Sequence, residues 1–288
     1  MMQTVISLIR IKHWVKNLFI FLPAFFGGVL FKYNNLQDLL IGFFMFSLVA
    51  SSIYIINDIR DLEQDKNHPE KSKRALAAGK ITVRKAIYVF VALLFFACLL
   101  SLSLPIEAIA VISIYFLLNL FYSLGGKNVA ILDITIVSLG FVLRVIVGGV
   151  IVGVLISKWL FLLTFLLSLF LVIAKRRDDY LIVSNNEAVR KVSKKYNLEF
   201  INYSLIIVSA LIMVSYIMYT FSTPYTGIKE YIIFSSSLLV IMGILRYYQI
   251  IFVENNSGSP TDIFFKDNFI RILISLWVLL YAFVIYMK

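Results

Sequence analysis

The chain is 288 residues long, 61% hydrophobic, with a mean hydropathy of +0.91, an apolar content too high for a soluble globule of this length. It carries 27 Lys and Arg against 16 Asp and Glu, a formal net charge of +11, and its single cysteine excludes a disulfide framework or a thiolate metal site. The composition is that of a polytopic membrane protein, and no nucleic-acid partner is expected.

Spanning helices need roughly 20 mainly apolar residues. Nine such runs can be placed, at about 14–32, 36–56, 86–104, 106–124, 129–153, 157–174, 203–222, 231–251 and 269–287. The basic residues fall mostly on one side of this arrangement; the other side holds Lys32, Lys158, Lys229 and Lys288, with Arg144 inside a span. The positive-inside rule then predicts a cytoplasmic N-terminus and an external C-terminus. Arg10, Lys12 and Lys16 precede or open a run long enough to span, so no cleavable signal peptide is expected.

The first span opens Ile11-Lys12-His13-Trp14-Val15-Lys16-Asn17. Trp14 suits the membrane interface, and His13 packs there more readily than it catalyses. Lys16 sits one turn into the apolar run, where a charge either snorkels to the surface or meets a partner such as a phosphate.

The second span runs into Asn57-Asp58-Ile59-Arg60-Asp61-Leu62-Glu63-Gln64-Asp65. If the helix continues, Asn57, Asp61 and Asp65 recur every four residues on one face, with Asp58 one step round. Such crowding of oxygens calls for a cation, and hard carboxylate and amide oxygens suit Mg²⁺, which commonly shares its shell with a substrate's phosphates. Asn57, Asp58, Asp61 and Asp65 are the candidate metal ligands; the bland alternative is a solvated, charged helix end. The positive-inside orientation puts them on the cytoplasmic side. The basic loop from Lys66 to Lys80 follows, and Arg74 within it is the chosen phosphate ligand, because a metal-bridged diphosphate needs cations for its remaining oxygens.

Cys98 in the third span reads as a buried structural thiol. The turn Tyr122-Ser123-Leu124-Gly125-Gly126-Lys127 lets backbone approach a ligand, and Asp133 opens the next run. That run carries Arg144 among Gly140, Gly148, Gly149 and Gly153; small residues allow tight helix packing, and an intramembrane Arg must face the bundle interior. Asp133 or an anionic substrate are both open as its partner. After the sixth span come Lys175-Arg176-Arg177-Asp178-Asp179, at a depth that lets them face the acidic cluster across a central cavity, and positions 186–199 read as an amphipathic surface helix. The loop from Glu254 to Asp262 is polar, and no soluble domain or repeat is evident. The expected fold is one all-α membrane domain over 1–288.

Asn57-Asp58-x-x-Asp61-x-x-x-Asp65 within a nine-span bundle, with a second charged loop after the sixth span, resembles the UbiA superfamily of intramembrane transferases. Four further stretches are similar to its decaprenyl-phosphate phosphoribosyltransferase branch: Lys12 through Asn17; His68-Pro69 through Arg74 with Ala77-Ala78-Gly79; Lys175-Arg176-Arg177; and Pro260 through Asp267. The chain departs from that branch at Arg74-Ala75-Leu76, where Arg-Pro-Ile is usual, and at Asp179, where a Glu is usual. The resemblance implies transfer of 5-phosphoribosyl from 5-phosphoribosyl pyrophosphate (PRPP) to a polyprenyl phosphate. It implies that Asn57, Asp58, Asp61 and Asp65 hold Mg²⁺ with the pyrophosphate, and that Lys16, Arg74, Lys127, Lys175, Arg176 and Arg177 bind phosphates, with Tyr122 positioning substrate. Arg144 joins the substrate-binding candidates; membrane lipids and a homo-oligomer are the remaining implied partners.

Prenyl-transferring relatives, which share the fold, carry two aspartate-rich loops because two metals hold an allylic diphosphate. Here the second loop has no acid at 182 or 183, which are Ile and Val, and has three consecutive cations instead. That favours a phosphosugar donor over the alternative, a prenyltransferase acting on an aromatic or glyceryl-phosphate acceptor. A secondary transporter would place ionisable groups near the bilayer midplane in repeated halves, whereas nearly all charge here lies at helix ends.

Overall fold

The structure is a computed structural model that describes residues 2–68, 71–184, 196–254, 263 and 266–287, and it divides into two compact units, Met1–Ile156 and Ser157–Lys288. Among the described residues all regular structure is helical, and eight helices are long and apolar enough to cross a membrane. Nine were expected. The difference lies at the first run, which forms no long α-helix.

In the first unit, α1 (Met2–Ile9) leads into a 3-10 segment (Ile11–Phe21), followed by α2 (Leu22–Phe26), α3 (Tyr33–Arg60), α4 (Leu62–Lys66), α5 (Val83–Ser101), α6 (Ile106–Leu124) and α7 (Leu132–Val152). Eleven residues is long for 3-10 geometry, whose runs seldom exceed a few residues, so tertiary contacts must hold it. Two are visible. Asn17 is fixed from α7 by Arg144, and the backbone of Ile20 presses so close to Gly148 that a Cβ there would lie 1.8 Å from the Ile20 carbonyl oxygen. Arg10, in the left-handed region at φ 54°, turns the chain from α1 into this segment, and Pro23 at the start of α2 lacks the N–H that a continuous helix would use.

Helices α3 and α7 are the central pair of this unit, with 61% and 56% of their apolar windows buried, against 17% for α5 and 22% for α6. Phe46, Ala50, Ile53, Ile112, Tyr115 and Val147 fill the space between them and the 3-10 segment. The lipid-side character of α5 corrects one expectation: Cys98 is exposed on it, not buried. A second cluster, Leu8, Ile55, Ala75, Leu76, Ala86 and Leu93, closes the end of the unit beside the acidic stretch. Ala75 and Leu76, where the family resemblance had Pro-Ile, are each 4% exposed in that cluster, so the loop is anchored by apolar burial directly after Arg74.

The second unit comprises α8 (Lys158–Ser184), α9 (Leu198–Phe221), α10 (Ile228–Phe252) and α11 (Asn268–Tyr286). The Tyr216 hydroxyl ties three of these together, accepting from Trp277 Nε1 at 2.6 Å and bonding Ser236 Oγ at 2.6 Å and Tyr281 Oη at 3.0 Å. Buried hydroxyls satisfied by one another are tolerated in a membrane core that offers no water. Residues 186–195 of the expected surface helix lie outside the described residues, and positions 198 and 199 open α9. Pro69, Glu70 and most of the stretch from Asn255 to Phe265 are likewise outside the described residues.

Candidate active site

The acidic stretch keeps its helical register through a small break. α3 ends at Arg60, Asp61 takes φ −92° and ψ 7°, and α4 resumes at Leu62. The backbone bonds from Asp61 N to Asn57 O, 2.9 Å, and from Asp65 N to Asp61 O, 2.8 Å, preserve the four-residue spacing that aligns the side chains. Asp58 and Asp65 are each 3% exposed.

Asp58, Asp61 and Asp65 are each met by a cation from outside the stretch, whereas Glu63 pairs with Lys66 on α4 itself. Arg74 Nη1 donates to Asp65 Oδ2 at 2.6 Å and to Asp58 Oδ1 at 3.2 Å. Arg10 pairs with the same Asp58 oxygen and lies 4.9 Å from the Tyr54 ring centroid. Lys127 pairs with Asp61, and Arg60 donates to the Leu124 carbonyl at 2.7 Å, so the α6–α7 connection is docked twice on the acidic stretch. Buried carboxylates need such partners, since an unpaired one would be strongly unfavourable.

Arg10 is the member that sequence reasoning missed, having been read only as a topology determinant. The available signal was its place two residues before Lys12 in the basic opening of the chain. Tyr122 stands on the last turn of α6, next to the connection that carries Lys127.

The donor set fits Mg²⁺ in kind. Asn57 Oδ1 is buried and accepts no hydrogen bond, and beside it stand three carboxylates on successive turns, all hard oxygen donors. Among the described residues no three His, Cys, Asp or Glu side chains converge on one point, because each carboxylate is turned to its Arg or Lys.

Of the two partners left open by the sequence, Asp133 is not the one Arg144 meets. Arg144 is 4% exposed in the middle of α7 and donates from Nε to Asn17 Oδ1 at 2.7 Å, from Nη1 to the Gly140 carbonyl at 2.7 Å and from Nη2 to Tyr115 Oη at 3.2 Å. The rings of Phe46, Tyr115 and Phe141 lie 4.6, 4.9 and 5.3 Å from its guanidinium carbon. Asp133 stands 11 positions back on the same helix, about 16 Å at 1.5 Å per residue, and is out of reach. Lys16, by contrast, makes no hydrogen bond or ion pair among the described residues.

Lys175, Arg176 and Arg177 lie on α8 of the second unit and have distinct surroundings. Arg177 is 6% exposed and clamps three helices, donating to Asn202 Oδ1 at 3.2 Å and the Ile251 carbonyl at 3.1 Å, with its guanidinium carbon 4.7 Å from the Phe252 ring centroid. Arg176 bonds Asp179 at 3.0 Å one turn on, and Lys175 is exposed.

The profile of the UbiA prenyltransferase family matches residues 20–273. Decaprenyl-phosphate phosphoribosyltransferase of Corynebacterium glutamicum is 30% identical over 98% of this chain and 86% of its own length, and that of Mycobacterium tuberculosis is 31% identical over 95% and 91%. Among solved structures, a UbiA homolog from Archaeoglobus fulgidus bound to DMAPP and Mg²⁺ superposes with a TM-score of 0.73 at 20% identity, covering 98% of this chain and 99% of that one. An all-helical multi-pass membrane fold, an acidic helix end faced by cations and a near-full-length family match agree: the chain belongs to the UbiA prenyltransferase family.

Proposed function

We propose that this protein transfers the 5-phosphoribosyl group of PRPP to a polyprenyl phosphate at the cytoplasmic membrane face, releasing pyrophosphate. The observation that carries the reading is the acidic stretch whose buried carboxylates are each faced by Arg10, Arg74 or Lys127, a balanced mixture of hard oxygens and phosphate-binding cations. Two near-full-length relatives named for this reaction support it. The cytoplasmic placement rests on the basic residues around the stretch, Lys66, Lys71, Lys73, Arg74 and Lys80.

Asn57, Asp58, Asp61 and Asp65 would hold Mg²⁺, which when bound neutralises charge developing on the leaving pyrophosphate. Arg74 and Lys127 leave their carboxylates for the pyrophosphate oxygens as that ligand enters, exchanging one anion for another. The C1–oxygen bond of PRPP breaks with its electron pair going to pyrophosphate, and a lipid phosphate oxygen bonds C1 from the opposite face. The phosphate is already anionic at neutral pH, so no side chain needs to serve as general base.

The test is purified protein with labelled PRPP, Mg²⁺ and a short polyprenyl phosphate. A labelled lipid product with matching pyrophosphate is expected, and an Asp61→Asn variant should lose about 100-fold or more in rate. Turnover of an allylic diphosphate with none of PRPP would overturn the reading.

A further inference from the structure

Helix α5 has two unlike faces. Ala86, Leu93 and Ala97 are buried against the rest of the first unit. Arg84, Tyr88, Val91 and Phe95 stand about half a turn round the helix from Ala86, at 3.6 residues per turn. Tyr88, Val91 and Phe95 are 65%, 57% and 59% exposed, and Arg84 is exposed with them. This row faces away from the cluster in which Ala86 meets Ile55 of α3, the helix that runs into the acidic stretch.

Lys80, Arg84 and Lys85 open the row. All three are exposed, and their side chains make no hydrogen bond or ion pair among the described residues. Glu70 is the one acidic residue between Lys66 and Glu107. Topology alone would be served by cations anywhere in the loop before α5. The helix itself does not favour two of them where they stand: its first turn holds no acid, and positive charge in a first turn opposes the helix dipole. Three like charges this close are stabilised by an anion from outside the chain.

From Arg84 to Phe95 is 11 positions, about 16 Å along the helix and close to half of a hydrocarbon core of about 30 Å. The row presents cations, then a tyrosine of the kind that sits at the membrane interface, then bare hydrocarbon. A membrane phospholipid carries its groups in that order: phosphodiester, ester-linked glycerol, acyl chains. A soluble phosphate would use the cations and leave Val91 and Phe95 without a role.

We infer that Lys80, Arg84 and Lys85 with the row Tyr88, Val91 and Phe95 form a binding site for an anionic glycerophospholipid, separate from the substrates of the proposed reaction. The cations bind the phosphodiester through charge-assisted hydrogen bonds, and Val91 and Phe95 lie along an acyl chain. Its assignment to the cytoplasmic leaflet rests on the orientation proposed above; the site itself does not.

The experiment gives the full-length protein in detergent dioleoyl phosphatidylglycerol or dioleoyl phosphatidylcholine and reads lipid bound per chain by native mass spectrometry, with thermal unfolding as the check on folding. Wild type should bind phosphatidylglycerol about tenfold or more tightly than phosphatidylcholine, a preference that shrinks as salt rises. Arg84→Gln/Lys85→Gln should weaken phosphatidylglycerol about 10–30-fold and leave phosphatidylcholine unchanged. Lys32→Gln/Lys158→Gln, which removes equal charge from two exposed lysines elsewhere, should change neither lipid. Equal binding of the two lipids by wild type overturns the site, as does an equal loss in both double variants. Glycerol 3-phosphate competing as strongly as the intact lipid would make this a free-phosphate site and overturn the lipid assignment. An altered oligomeric state in Arg84→Gln/Lys85→Gln with lipid binding intact would give the face to a second copy and overturn it too. A protein that turns over no PRPP yet keeps the lipid preference loses the proposed reaction and keeps this site.

Discussion

Arg74 donates to Asp65 at 2.6 Å, joining two residues nine positions apart across the loop that follows α4. Asp65 is 3% exposed and Arg74 is its one ion-pair partner among the described residues, whereas Asp58 also has Arg10. Arg74→Met should therefore strand Asp65 and destabilise the protein by about 1–3 kcal/mol, less than a fully buried pair because the Arg74 side chain is a quarter exposed. Adding Asp65→Asn should restore thermal stability without restoring phosphoribosyl transfer. Unfolding curves and pyrophosphate release on the single and double variants separate the two roles.

Lys127 pairs with Asp61. Removing that cation should make the acidic stretch a better metal site and a poorer phosphate site at once. For Lys127→Met we expect tighter binding of Mn²⁺, followed as a paramagnetic stand-in for Mg²⁺, together with a PRPP KM raised about tenfold. A variant in which both affinities fall would show that Lys127 organises the stretch rather than competing for it.

Gly148 and Gly140 lie on the same helix and differ in what a side chain would meet. A Cβ at 148 would fall 1.8 Å from the Ile20 carbonyl oxygen, while at 140 the nearest atom is on the Tyr115 ring at 3.4 Å. Gly148→Ala should push the 3-10 segment off α7 and lower stability by about 1–3 kcal/mol or more. Gly140→Ala should be nearly neutral. Comparable melting temperatures for the two variants would contradict the close docking.

Asp267 caps α11 by accepting from the Ile270 N–H at 2.8 Å and receives Arg246 Nη2 at 2.7 Å. Burial acts to raise its carboxyl, and hydrogen bonds from Arg246 and the backbone of Ile270 and Phe269 outweigh it, holding the group below the usual carboxylate value. A depressed folded-state value means stability present above the unfolded pKa, about 3.9, and lost as pH falls through the folded one. Wild type should lose melting temperature steeply below about pH 4, and Asp267→Asn, which keeps a capping side chain, should lose part of that dependence and about 1 kcal/mol at pH 7. Melting temperature against pH for both proteins checks the sign.

Much of this protein was legible in its residues because the information is local. Runs of apolar residues fix which segments cross a bilayer, and the expected runs at 36–56, 106–124 and 269–287 became Tyr33–Arg60, Ile106–Leu124 and Asn268–Tyr286. Four-residue spacing fixes which side chains share a helix face, so Asn57, Asp61 and Asp65 could be grouped without coordinates. The neighbours of those side chains could not. Arg10 meets Asp58 across 48 positions and Arg144 meets Asn17 across 127.

The first run shows the division most clearly. Its composition is that of a spanning helix, and by itself it would form one. Gly148 admits the Ile20 backbone and Arg144 holds Asn17, and these two contacts with α7 stabilise a 3-10 segment that local propensity does not favour. The sequence alone determined the membrane class, most of the spans and the acidic face. Tertiary structure decided which cation stands opposite each aspartate of that face, because charge pairing across the fold depends on helix packing and not on spacing along the chain.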